Sequence, residues 1–143
     1  MTDHPRVLVA CRRNAGRSVA ARLLLAHYGA GRLLVTSAGS EPGTEVHPEV
    51  RAELTARGLD VSHEFPKPLT DDAVRQVDVV VTMGCGEECP FYPGKRYDDW
   101  PVADPAGQDA ATVRTIVDDI DSRARALVSE LLPDHVMPDA PSG

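Results

Sequence analysis

An apolar run, Val7-Leu-Val-Ala10, leads without a break into Cys11-Arg-Arg-Asn-Ala-Gly-Arg17-Ser18, and apolar residues at helical spacing begin directly after it. The run is short and bounded by Pro5, which predicts a buried strand. Beyond Ser18, Val19, Leu23 and Ala26 share one helical face, with Ala20, Leu24 and His27 beside it. The eight residues between therefore form a strand-to-helix turn. Backbone N–H groups and a helix N-terminus converge at such a turn and bind tetrahedral oxyanions. Arg17 adds a planar fork for two oxygens. The same field favours thiolate over thiol at Cys11, and Gly16 permits positive φ and close ligand approach. The candidate oxyanion loop is Arg12, Arg13, Asn14, Ala15, Gly16 and Arg17, with a nucleophile at its floor.

Charge is distributed to match. From His4 to Ser40 there are six arginines and no Asp or Glu, although the 143-residue chain carries a net charge of −7. The overall sign argues against nucleic acid as a partner, whereas a local basic patch suits a small anion. No apolar stretch approaches a membrane span, and no secretory h-region precedes the motif. With an odd number of cysteines, three, these features predict a reducing, cytoplasmic setting in which thiols do chemistry.

Downstream, strand and helix signals alternate. Gly29-Ala-Gly31 closes the first helix, Arg32–Ser37 predicts a second strand, and Pro48–Arg57 a short helix carrying Val50 and Leu54. Residues 59–68 are irregular, with Pro66 and Pro68 around Lys67. Thr70 caps a brief helix, and Asp78–Thr82 is β-branched and suited to a doubly buried strand. An aromatic, turn-rich stretch runs to Trp100, followed by the turn Asp104-Pro-Ala-Gly107. Val113, Ile116, Val117, Ile120, Ala124, Leu127, Val128 and Leu131 then mark a long helix stopped by Pro133. The expectation is one domain over 1–133 with a flexible tail over 134–143. Its class is α/β, an open parallel sheet with helices on both faces. Ligands of such sheets sit beyond the carboxyl ends of the strands. Cys11, Ser37, Cys85 and Asp104 all follow strands, so they should share one rim.

Cys85 and Cys89 add a redox element. At i, i+4 on a helix their Cβ atoms stand about 5–6 Å apart, whereas a disulfide needs about 3.8 Å. Pairing therefore requires distortion, which Gly84 and Gly86 make easier.

The ordered set of motifs resembles the arsenate reductases that share the low-molecular-weight tyrosine phosphatase fold. The resemblance rests on Cys11-x5-Arg17-Ser18 with Asn14-Ala-Gly inside it, Thr36-Ser-Ala-Gly39, Val79-Val-Val-Thr-Met-Gly-Cys85, Cys89-Pro90 and Asp104-Pro-Ala-Gly107. It implies a four-stranded sheet and a role for each matching residue. Cys11 would attack As(V), with the loop amides and Arg17 binding the oxyanion. Ser18 would hold the thiolate and Asn14 would brace the loop. Asp104 would protonate the departing oxygen, and Cys85 and Cys89 would relay the disulfide outward. It also implies arsenate as substrate, phosphate or sulfate as mimics, weak phosphatase side activity, a monomer, and no bound cofactor. The external reductant would be thioredoxin, or alternatively mycothiol with mycoredoxin, in which case the Cys85–Cys89 relay is bypassed. Many relatives place a carboxylate of a potassium site where Arg22 stands. Arg22 and Lys67 would supply positive charge here, so no metal is expected. The rival reading is a low-molecular-weight protein tyrosine phosphatase. Against it, no aromatic follows Asp104-Pro105 to grip a phenyl ring, and Cys85 and Cys89 have no use.

Overall fold

The computed structural model describes residues 4–84 and 91–142. Its elements in chain order are β1 (Arg6–Cys11), α1 (Arg17–Gly29), β2 (Leu34–Gly39), α2 (Pro48–Ala56), α3 (Asp71–Arg75), β3 (Val79–Met83), β4 (Arg96–Asp99) and α4 (Ala110–Leu131). They form an open four-stranded sheet in the order β2-β1-β3-β4, parallel at every pairing. β1 has a strand on each side and a packed layer on each face. That is why Val7 through Ala10 are all fully buried and why their sequence does not alternate.

Alternate side chains of the central strands enter two separate cores. Val7, Val9, Val79 and Val81 join the larger cluster with residues of α1, α2 and α4. Leu8 and Val80 enter a smaller one with Ala38, Val74 and Val77, beneath α3. Helices thus cover both faces, unequally. Leu24, Leu25 and Ile120 are among the fully buried side chains between α1, α4 and the sheet, and burying each contributes roughly 1.5–3 kcal/mol. The same two helices are tied by Tyr28, whose hydroxyl donates to Asp121 and accepts from Arg125 Nε at 3.0 Å.

Two elements depart from expectation. β4 lies in the stretch read as aromatic and turn-rich. Arg-Tyr-Asp-Asp carries no apolar alternation because it is an edge strand held by backbone pairing to β3. Its charges lie at the sheet margin, where they discourage further pairing; Arg96 reaches Asp98 at 2.9 Å and Glu130 of α4 at 2.8 Å. Residues 134–142, expected as a flexible tail, make contacts with α1. His135 Nε2 donates to Tyr28 O at 2.8 Å, His27 Nε2 donates to Asp139 O at 2.7 Å, and Met137 packs on the larger core. Single histidine–carbonyl bonds leave no periodic trace in a proline-rich sequence. Among the described residues, no helix is long and apolar enough to cross a membrane.

Parallel register places Cys11 opposite Gly39 on one side and Met83 on the other. Three strands therefore end at one level, on the rim where the chemistry was expected.

Candidate active site

Cys11 is the last residue of β1 and only 2% exposed. The loop that follows is shaped by a second segment, residues 40–47. Backbone N–H groups of Ser40, Glu41, Gly43 and His47 donate to the carbonyls of Cys11, Arg12, Arg13 and Ala15, at 3.2, 2.7, 2.9 and 2.8 Å. The carbonyl and N–H of a peptide unit point in opposite directions. With the carbonyls turned outward to this brace, the loop N–H groups turn inward, which makes an anion-binding concavity. Asn14 N–H accordingly donates to Cys11 Sγ at 3.3 Å. Gly16 caps α1 with no side-chain hydrogen bond, and the first turn holds no acidic residue. The positive end of the helix therefore meets no competing carboxylate there.

Asn14 and Ser18 stand behind the sulfur, both fully buried. Asn14 Nδ2 donates to Ser18 Oγ at 2.7 Å, and Asn14 Oδ1 accepts from Lys67 N–H at 2.9 Å. Because Ser18 Oγ accepts from Asn14, its own hydrogen is free to point at Cys11 Sγ, 3.0 Å away. Asn14, at φ 51, is also the left-handed residue of the loop, a conformation asparagine adopts more readily than most. This corrects the expectation for Gly16, whose φ is −141. Gly16 is needed for closeness instead: a Cβ there would stand 3.2 Å from both His47 Cδ2 and Pro105 Cγ.

Two more glycines fit the loop to the sheet. A Cβ on Gly39 would lie 2.7 Å from Arg12 O and 2.8 Å from Asn14 N, atoms that cannot move without opening the cradle. Gly39→Ala is therefore expected to lower oxyanion affinity at least tenfold and to destabilise the fold by about 1–3 kcal/mol, the usual cost of overpacking. Phosphate inhibition and urea denaturation would check both, and an unchanged inhibition constant would contradict the close fit. Gly84, at φ +85, would place a Cβ 2.8 Å from Arg17 Nη1. The guanidinium is thus pressed against the end of β3.

Arg17 Nη1 donates to Val102 O at 3.3 Å, and Nη2 lies 3.9 Å from Asp104 Oδ2. Asp104 Oδ1 accepts from Ala106 N–H at 3.0 Å, and Glu49 Oε1 accepts from Gly107 N–H at 3.1 Å, tying this turn to α2. The result is a cavity of about 280 Å³ lined by Cys11, Arg12, Arg13, Gly16, Arg17, His47, Gly84 and Asp104. A larger cavity of about 360 Å³ lies beside β2 on the α3 face but holds neither Cys11, Arg17 nor Asp104, so size is a poor guide to the chemistry here.

Of the residues expected to share the rim, Cys11 and Asp104 line this cavity, whereas Ser37 lines the larger one. Arg12 and Arg13 line the mouth, Arg12 paired with Glu41 at 3.3 Å. Asn14, Ala15 and Ser18 lie behind the cavity wall rather than in it. Cys85 and Cys89 lie outside the described residues. His47 and the 40–47 brace were not anticipated: they carry no motif, and only the backbone pairing reveals them; Gly84 was read only as easing a cysteine pairing, and its contact with Arg17 is a further role. Arg22, expected to supply positive charge beside the loop, is paired with Glu64, which accepts from Arg22 Nε at 2.9 and 3.1 Å. Glu64 is buried in a segment with no periodicity, which is why the sequence hides it. Lys67 adds a second cation, its ionisation pushed down by burial and by Arg22, with Glu64 acting the other way. Among the described residues no group of three or more His, Cys, Asp or Glu could hold a metal ion.

Residues 6–136 match the family described as low molecular weight phosphotyrosine protein phosphatase. The chain belongs to that family. Within it, relatives similar to the chain are named as arsenate reductases. The glutaredoxin arsenate reductase of Synechocystis is 31% identical, over 88% of this chain and 98% of its own. A putative arsenate reductase of Halobacterium salinarum is 33% identical, over 87% and 91%. Among solved structures, the thioredoxin-dependent arsenate reductase of Corynebacterium glutamicum superposes with a TM-score of 0.82 at 46% identity. That alignment covers 92% of this chain and 63% of the other, so this chain spans under two thirds of that relative. A protein tyrosine phosphatase with a TM-score of 0.78 is 23% identical and shares the fold.

Proposed function

We propose that this member of the family is an arsenate reductase. The observation that carries the reading is one cavity in which a buried cysteine, a guanidinium and a carboxyl group face the same 280 Å³ of space. A tetrahedral oxyanion suits the inward N–H groups and Arg17. Relatives named as arsenate reductases at 31–46% identity support the substrate.

Cys11 thiolate attacks As(V), forming an S–As bond, and Asp104 protonates an oxygen that departs as water. Cys85 thiolate then attacks Cys11 Sγ. The S–As electron pair returns to arsenic, which leaves as arsenite, As(III), and a Cys11–Cys85 disulfide remains. Cys89 thiolate attacks Cys85, freeing Cys11 as thiolate, and an external dithiol reduces Cys85–Cys89. The arsenic gains two electrons and the thiols lose two. Asn14, Ser18 and the brace hold the sulfur in place throughout. Lys67 ties its backbone N–H to Asn14 Oδ1 and so helps to brace the loop, while Arg22 is matched by Glu64. Phosphate, near-isosteric with arsenate, binds the same cradle, so slow phosphatase turnover accompanies the reductase.

A second reading concerns the reductant. One relative is named for glutaredoxin and another for thioredoxin, and a low-molecular-weight thiol such as mycothiol could attack the Cys11 adduct instead of Cys85. Mass spectrometry after one arsenate turnover without reductant separates the routes. The relay leaves an intramolecular disulfide; Cys89→Ser stalls as Cys11–Cys85, and Cys85→Ser releases no arsenite with thioredoxin. Normal turnover of both variants with mycothiol and mycoredoxin would make the pair a bystander and leave the Cys11 assignment standing.

A further inference from the structure

His47 is held beside the oxyanion loop by its backbone, which leaves its ring as lining. It occupies the N-cap position of α2, its N–H donating to Ala15 O at 2.8 Å. Pro48 follows at the first helical position, where its fixed φ anchors the turn. The imidazole and the Asp104-Pro105 turn both pack against the loop at Gly16, His47 Cδ2 and Pro105 Cγ each 3.2 Å from where a Gly16 Cβ would stand. Arg13 and His47 also line a neighbouring cavity of about 310 Å³, bordered by Gly43, Thr44 and Glu45. These two side chains therefore stand at both cavities.

We propose that His47 is a proton-dependent contact for the bound oxyanion: as imidazolium it adds a cation to the cradle, and as imidazole it withdraws one. The inference rests on the oxyanion reading of the cavity. Among the described residues, the charged groups on the elements packed around the ring leave it this role. From the loop and α1 come Cys11, Arg12, Arg13 and Arg17; from the turn after β4, Asp104; from α2, Glu49 and Arg51; from the preceding segment, Glu41 and Glu45. Glu41 is paired with Arg12 and Asp104 faces Arg17. Glu49 accepts from Gly107 N–H, and Arg51 donates to Val61 O. Arginines stay charged at any working pH, and histidine is the side-chain type whose ordinary ionisation falls between about pH 5 and 8. Protonation of His47 would therefore tighten oxyanion binding as pH falls, against the direction expected from a thiolate nucleophile. Anion affinity and nucleophile activation would then have opposite pH dependences at one site.

The experiment isolates the imidazole. The full chain carrying Cys11→Ser lacks the thiol at the floor of the cradle, Cys85 and Cys89 are common to all the variants compared, and sulfate stays dianionic throughout this range. Sulfate binding is measured by calorimetry at several pH values for Cys11→Ser, Cys11→Ser/His47→Asn and Cys11→Ser/His47→Lys. A charge a few ångströms from the anion at a part-exposed site changes affinity by about five- to tenfold. Cys11→Ser should lose that much between pH 5.5 and 8. The Asn variant should bind at the weak end with a slope under about twofold, and the Lys variant at the tight end at every pH. The other histidines are common to all three proteins and cancel. Equal slopes in all three, or a Lys variant as weak as Asn, would overturn the proposal while the oxyanion reading stood. If Cys11→Ser binds no sulfate, the oxyanion reading falls and this inference with it.

Discussion

Cys11→Ser should abolish arsenate reduction and any phosphatase side activity together, a loss on the order of 10³-fold or more, as when a covalent nucleophile is removed. Both reactions begin with the same sulfur, so no separation of the two is expected. The substitution is small enough to keep the cradle: Asn14 N–H and Ser18 Oγ, at 3.3 and 3.0 Å from the sulfur, can hydrogen-bond to a hydroxyl as well. A serine hydroxyl is far harder to ionise than a thiol, so chemistry stops while binding survives. Retention of a tenth of the wild-type rate in a stopped assay for arsenite would refute the mechanism. Arg17→Lys provides the companion result. The planar fork donates to Val102 O and faces Asp104 from two different nitrogens. A lysine ammonium is a single point and cannot span both, so most activity should go even though the charge is kept.

Asp104→Asn should slow arsenate reduction by about 10²–10⁴-fold, the range supplied by a positioned general acid. The geometry adds a readout that a structural role would not produce. Asp104 Oδ2 lies 3.9 Å from Arg17 Nη2, so the side chain partly occupies the guanidinium that an incoming anion needs. Replacing the carboxyl by an amide of the same shape should leave phosphate inhibition as tight as before or tighter while kcat collapses. Steady-state kinetics with phosphate as competitor measure both quantities. A fall in kcat below threefold takes Asp104 out of the chemistry. A matched fall in kcat and phosphate affinity assigns it to shaping the loop.

Cys11, Arg17 and Asp104 were readable because their signals are local or topological. The sequence resemblance on which they also rested leads to a family the chain does belong to. Reading β4 and Glu64 needed more. A charged edge strand and a lone buried carboxylate obey no period, since each is held by a partner distant in the chain, β3 in one case and Arg22 in the other. His47 and residues 40–47 went unread for the same reason.

From its order of residues alone, this chain determined that a cysteine and an arginine would frame a strand-to-helix turn on the carboxyl rim of a parallel sheet. Apolar runs and helical periods carry that information, because burial acts on every residue of an element. Only the tertiary structure decided which way the loop faces. Its carbonyls are claimed by Ser40, Glu41, Gly43 and His47, and Gly39 and Gly84 admit backbone and guanidinium at distances no other residue allows. Hydrogen bonds between segments some 30 residues apart depend on where two chains of atoms meet in space, and composition or spacing does not encode that meeting. The placing of a cysteine at the floor of the turn is therefore a property of the sequence, and the inward turn of the amides around it a property of the fold.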